Sequence, residues 1–213
     1  MQPLKLNIII GTVRPGRAAD PVARWVTQRA EEHGEFEVEL LDLRDWPLPY
    51  FAEGAETIGD FADPTYSDPV VKAWNNKQKE ADAVVFITAE YNHSIPGVLK
   101  NAIDNVFVSF AFRNKPAAFV GYSGGIAAGV RAVEHLAQVA IEAEMVPLRN
   151  TVLIPQVQNA FDADGEPTNP VAERSIAIML DDLAWWGRVL SEARFAGQLP
   201  PAQARQVATA KSG

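Results

Sequence analysis

Leu6-Asn7-Ile8-Ile9-Ile10-Gly11-Thr12-Val13-Arg14-Pro15-Gly16-Arg17 is a β-branched run that stops at a glycine and gives way to a polar loop. Asp20-Pro21 then supplies an N-cap residue with proline at the first helical position, and Val22, Trp25, Val26 and Ala30 recur at helical spacing until Gly34. Strand, loop and helix in that order make the first unit of an alternating chain, and the rest of the sequence repeats it. Residues 36–43 read as a second strand, and Pro47, Pro49, Gly54, Gly59 and Pro64 mark a long loop. Asp68-Pro69 repeats the capping signature before Val70, Val71 and Trp74. Residues 83–87 form an apolar run too short for a helix and rich in Val and Ile, which predicts a buried strand, with a helix starting near Pro96. Residues 116–120 and 152–154 predict the fourth and fifth strands. Val130, Val133, Leu136, Ala137, Ala140 and Ile141 mark the helix between them, and Asn169-Pro170 opens the last one. Five strand-then-helix units predict an open, doubly wound parallel α/β sheet. Residues 1–195 form one domain in this reading, and residues 196–213, with Pro200-Pro201, a C-terminal tail.

Composition narrows the function. Nineteen basic against 27 acidic side chains give 213 residues a net charge of -8, which opposes nucleic acid or an anionic membrane as partner. An anionic ligand therefore needs a local site. The chain has no cysteine, so disulfides, thiolate nucleophiles and Cys-ligated zinc or iron-sulfur centres are excluded. The N-terminal apolar run is too brief for a signal peptide or a membrane span, and a cytoplasmic location is expected.

In such sheets ligands bind outside the carboxyl ends of the strands, which directs attention to residues 11–17, 89–97 and 121–129. The first loop offers backbone amides, the Thr12 hydroxyl, Arg14, Arg17 and a helix N-terminus, a set suited to a phosphate monoester. Arg17-Ala18 lacks the Lys-Ser or Lys-Thr of a P-loop, and Val13 stands where a dinucleotide fingerprint needs its second glycine. Gly121-Tyr122-Ser123-Gly124-Gly125 matches the nucleophile elbow G-x-S-x-G in form. The only later histidine, His135, would be carried roughly 15 Å away along the helix that follows, so Ser123 is not read as a nucleophile. The histidines, His33, His93 and His135, show no metal-ligand spacing, and no metal is expected. His93 alone falls beside the expected ligand.

Three stretches, taken together, resemble the NADPH-dependent FMN reductase family. They are Gly11 to Arg14, the fifteen residues Glu90-Tyr91-Asn92-His93-Ser94-Ile95-Pro96-Gly97-Val98-Leu99-Lys100-Asn101-Ala102-Ile103-Asp104, and Ser123-Gly124-Gly125 with Gly129-Val130-Arg131. The resemblance covers roughly residues 5 to 155 and implies a flavodoxin-like three-layer sandwich with strand order 2-1-3-4-5. It also implies non-covalent FMN, NADPH or NADH as reductant, and a homodimer or homotetramer. Carried over residue by residue, it puts the FMN phosphate against Gly11, Thr12, Arg14 and Arg17, and the ring against Glu90, Tyr91, Asn92, His93 and Ser94. Ser123, Gly124 and Gly125 become the neighbouring wall. The sequence departs from the family pattern at Ala89, at Arg17-Ala18 and at Ala128, where many members have Pro, Ser and Gly respectively.

The implied activity is hydride transfer from the nicotinamide to the flavin, then reoxidation by a small acceptor such as a quinone, a flavin, an azo compound or a metal oxyanion. The cofactor carries that chemistry, so no acid-base side chain is assigned. The alternatives are a flavodoxin-type electron carrier without a pyridine nucleotide site, and a non-catalytic ligand-sensing module on the same scaffold. The apolar segment 105–112 and the adjacent pair Trp185 and Trp186 are the candidate subunit contacts.

Overall fold

The computed structural model describes residues 2–60, 63–197, 200, 201 and 205. Strands β1 (Leu4–Ile10), β2 (Phe36–Asp42), β3 (Ala83–Ala89), β4 (Pro116–Tyr122), β5 (Val146–Pro147) and β6 (Val152–Ile154) alternate with helices α1 (Ala19–His33), α2 (Pro69–Glu80), α3 (Gly97–Asp104) and α4 (Val130–Glu142). Helix α5 (Pro170–Ala196) closes the chain's regular structure. The strands are parallel in the order β2-β1-β3-β4-β5, with β6 also paired to β4. The strand order and the flavodoxin-like arrangement agree with expectation. The fifth position differs in detail: two short pieces share the edge of β4, β5 against Pro116 and Ala117 and β6 against Val120 to Tyr122. Between them Asn150 leaves the sheet and its side-chain amide donates to Asp182 on α5 at 2.6 Å.

Side-chain alternation along each strand builds a layer on either face. Leu4, Leu6, Ile8 and Ile10 of β1, with Val85 and Ile87 of β3, pack against Val22, Trp25 and Val26 of α1 and Ile176, Met179 and Leu183 of α5. Ile9, Val84, Phe86 and Phe119 point the other way, onto Trp74 of α2, Leu99 and Ile103 of α3 and Leu136 of α4. The segment 105–112 joins this second layer. Val106, Ala111 and Phe112 are buried in it and none of the eight residues is exposed, because the turns after α3 fold back over Phe86.

Helix boundaries follow local chemistry. Asp68 and Asn169 cap α2 and α5 by accepting from the amides of Val70 and Val171. Gly34, at φ 78°, ends α1 in the left-handed conformation that glycine adopts without penalty. The start of α1 departs from the Asp20 N-cap expected from sequence. The helix begins at Ala19, and Asp20 lies in its first turn because its carboxylate is taken by Arg17 at 2.7 Å. Most of the tail assigned to residues 196–213 lies outside the described residues.

The strand order creates the cleft. The chain leaves β1 through α1 on one face and leaves β3 through α3 on the other, so the loops after these neighbouring strands part.

Candidate functional site

Loop 11–17 is held by its carbonyls. Arg17 is buried, its guanidinium donates to the Thr12 carbonyl and pairs with both oxygens of Asp42 on β2, and its Nε donates to Asp20 at 2.7 Å. Burial disfavours that charge, yet the bonds to Asp42 and Asp20 outweigh it and raise the Arg17 pKa. Arg44, just beyond β2, donates to the carbonyl of Arg14 at 2.8 Å and to that of Val13 at 3.4 Å. With three successive carbonyls held by arginines, the amides of Thr12, Val13, Arg14, Gly16, Arg17 and Ala18 donate to no acceptor among the described residues. Such a run of free N–H groups at a helix start is an anion nest. The Arg14 side chain is exposed and makes no hydrogen bond or ion pair among the described residues. Gly11 serves packing instead, since a Cβ there would stand 2.7 Å from Leu99 Cδ2 and 3.0 Å from the Ile87 carbonyl.

Loop 90–94 is a tight turn. Tyr91 and Ser94 exchange amide–carbonyl bonds of 2.9 and 3.1 Å around Asn92 and His93, both in the left-handed region at φ 50° and 70°. Glu90 ties this loop to β4 through a 3.1 Å bond from its amide to the Tyr122 carbonyl. Two residues one turn apart on α4 reach across to it. Arg131 Nε donates to Glu90 Oε1 at 2.6 Å and its NH1 to His93 Nε2 at 2.9 Å, while His135 Nδ1 meets Ser94 Oγ at 2.9 Å. A guanidinium only donates, so His93 Nε2 accepts in this arrangement.

Loop 123–129 forms the third wall. The Ser123 hydroxyl donates to the Gly125 carbonyl at 3.1 Å and makes no hydrogen bond to a histidine among the described residues. Carbonyls again face the protein: Ser123 accepts from Val157 N and Gly125 from Gln156 N, leaving the amides of Gly124 and Gly125 without a protein acceptor among the described residues. A Cβ on Gly125 would meet nothing within 4 Å and its φ is not positive, so neither packing nor backbone conformation requires glycine there. Gly129 is required, because its φ is 83° and a Cβ would come within 2.6 Å of the Tyr122 amide. Tyr122 joins the first and third loops through its hydroxyl, 3.3 Å from Thr12 Oγ1. Burial pushes its pKa up to about 12, so the phenol stays protonated.

The structure thus brings Gly11, Thr12, Arg14, Glu90 to Ser94 and Ser123 to Gly125 to one end of the sheet. Arg17 lies beneath its loop, with its donors turned toward Thr12, Asp20 and Asp42. Sequence reasoning assigned nothing to Asp42 or Arg44, quoted Arg131 only as part of a stretch resembling the family and gave it no role, and treated His135 as an ordinary helical residue. Arg131 and His135 shared a legible signal, an i, i+4 spacing on the helix after the glycine loop, and Arg131 also closed the Gly129-Val130-Arg131 stretch; Arg44 had none, because its partners are carbonyls thirty residues earlier.

Residues 4–159 match the model of the family described as NADPH-dependent FMN reductase. A Pseudomonas aeruginosa protein named NAD(P)H-dependent FMN reductase is 36% identical over 156 residues, covering 72% of this chain and 80% of its own. A Schizosaccharomyces pombe protein with that activity name is 35% identical over 120 residues, 56% of this chain, and the match spans only 58% of the yeast protein. Among solved structures, the flavoenzyme NAD(P)H:(acceptor) oxidoreductase of Paracoccus denitrificans superposes with a TM-score of 0.70 at 25% identity, over 87% of this chain and 97% of that one.

Proposed function

This chain belongs to the NADPH-dependent FMN reductase family, and we propose that it is an NAD(P)H-dependent oxidoreductase that holds FMN between its three loops and delivers electrons to a small acceptor. The observation that carries the reading is the set of free amides at 12–14 and 16–18, with the carbonyls of 12–14 held toward the protein by arginines. A phosphate fits there: Thr12, Arg14 and the amides of the loop would hold it, with the α1 N-terminus adding favourable field. A flat ring fits the other two loops, because Gly124 and Gly125 present unpaired amides and no side chain. Arg17 supports this site by fixing the loop.

FMN, when bound, supplies the redox chemistry, taking a hydride from the nicotinamide and passing electrons to the acceptor. The chain's own groups bind and orient. Amides of the glycine loop are placed to stabilise negative charge at the ring's polar edge, and Tyr122 keeps its proton and positions Thr12. No side chain is assigned to acid-base catalysis. Relatives named 2-hydroxy-1,4-benzoquinone reductase, from a Burkholderia species, and NAD(P)H:quinone oxidoreductase, from Solanum tuberosum, support a quinone as acceptor. We place the protein in the cytoplasm as a homodimer or homotetramer. Supporting this, no helix among the described residues is long and apolar enough to cross a membrane, and Tyr50, Ile126 and Trp185 are large apolar side chains left open to water.

An anaerobic titration of the FMN-loaded protein with NADPH and then NADH tests the reading. Bleaching of the visible flavin band far faster than for free FMN, with recovery on adding a quinone, is expected. A bound flavin that neither nucleotide bleaches would identify an electron carrier instead.

A further inference from the structure

Glu90 sits in the loop assigned to the flavin ring, yet its side chain is only 6% exposed and its second oxygen, Oε2, is buried with no hydrogen-bond partner. A carboxylate in that position is unstable unless a cation compensates it, and one left buried without a partner gains a proton or moves into water. Among the described residues, Arg131 is the cation paired with it, through both Nε and NH2 to Oε1. The same guanidinium reaches His93 Nε2 at 2.9 Å. That second bond falls on one of the two consecutive left-handed residues of the turn, a conformation that a β-carbon disfavours and that persists only where the surroundings hold it. His135, one turn further along α4, holds Ser94 on the other side of the same turn.

We propose that Arg131 is the positioning residue of the ring-side loop. It keeps Glu90 buried and in place, holds His93 in its left-handed conformation, and makes the loop after β3 follow the N-terminus of α4. The inference rests on the flavin reading above. Because α4 begins at Val130, directly after the glycine loop, one guanidinium links the two walls assigned to the ring. Lysine cannot substitute fully, since a point charge cannot serve Glu90 and His93 with a fixed fork of donors.

The titratable and charged groups around the turn are Glu90, Tyr91 and His93 within it, Tyr122 on β4, and Arg131 and His135 on α4. FMN binding followed by fluorescence quenching, on wild type, R131Q, R131K and E90Q/R131Q, separates the roles of Glu90 and Arg131. R131Q should bind at least tenfold more weakly than wild type, because the uncompensated carboxylate pulls the loop toward water. R131K should lie between the two. E90Q/R131Q should regain much of the affinity, because the charge that needed compensation is gone. An R131Q affinity equal to that of wild type would overturn the proposal and leave the flavin reading standing. A double variant that binds no better than R131Q would overturn the proposal as well. Wild type that fails to quench FMN would overturn both.

Discussion

Arg14 and Arg17 are three residues apart in the same loop, and the sequence offers both as candidates for an anion, with Arg17 the weaker because Arg17-Ala18 departs from the family pattern. Their environments separate them: Arg14 is open to solvent, while Arg17 is buried against Asp42, Asp20 and the Thr12 carbonyl. Arg14→Ala should therefore weaken FMN binding by about 10- to 100-fold, the equivalent of one charge-assisted bond, with little change in a urea melt. Arg17→Ala should do the reverse at first order, costing about 2–3 kcal/mol of stability by stranding Asp42, a figure reduced from the fully buried case because Asp42 keeps some contact with water. Equal effects of the two variants on affinity and on stability would contradict this division. Ala128 offers a second test at this scale. Its φ of 56° lies in the left-handed region, where a β-carbon costs about 1 kcal/mol, so Ala128→Gly should raise the urea midpoint, and a lowered midpoint would show that the methyl's packing outweighs the strain.

Helix α2 ends on an unusual cap. Lys115, the residue before β4, is buried, and its ammonium donates to the Lys79 carbonyl at 3.0 Å and to the Gln78 carbonyl, both in the last turn of α2. Burial pulls its pKa down from 10.5 to about 7, with the nearby Arg194 acting in the same direction. Between those two values the unfolded chain binds more protons than the folded one, so this lysine's contribution makes stability rise as pH climbs from about 7 toward 10.5. Below about 7 both states are charged and the full desolvation penalty is present. In denaturant titrations, the stability difference between wild type and Lys115→Met should widen in favour of wild type from pH 7 to pH 10. A constant difference would show that the carbonyl bonds retain the charge. At this scale the sequence was informative where a signal is local. Asp68-Pro69, Asn169-Pro170 and Gly34 mark helix ends that the structure keeps. Asp20-Pro21 misled by two residues, because the competing partner, Arg17, is itself held by a residue on the neighbouring strand.

For the whole molecule, the reading makes FMN a folding ligand as well as a cofactor. A ligand that binds only the folded state at one hundred times its dissociation constant adds about 2.7 kcal/mol, so the thermal midpoint should climb steadily with added FMN and much less with riboflavin, which lacks the phosphate. Equal shifts from both would remove the phosphate from the loop 11–17. Light scattering should return a mass above that of one chain, and a strictly monomeric mass would sink the proposed assembly. The segment 105–112, an apolar stretch that sequence alone offers as a subunit contact, is buried or half-buried within one chain. On α5, by contrast, Trp185 is 60% exposed, a position that the sequence could place only as one of two divergent neighbours. The alternation of apolar runs with capped helices was enough to determine the doubly wound sheet and the three loops at its carboxyl edge, because periodicity and capping are properties of adjacent residues. Tertiary structure decided which arginine faces a ligand and which holds the loop, and which helix grips the ring-side turn. Those outcomes depend on partners 25 to 41 residues away, Asp42 for Arg17 and Glu90 for Arg131. Only the packing of the sheet brings such residues within hydrogen-bond distance.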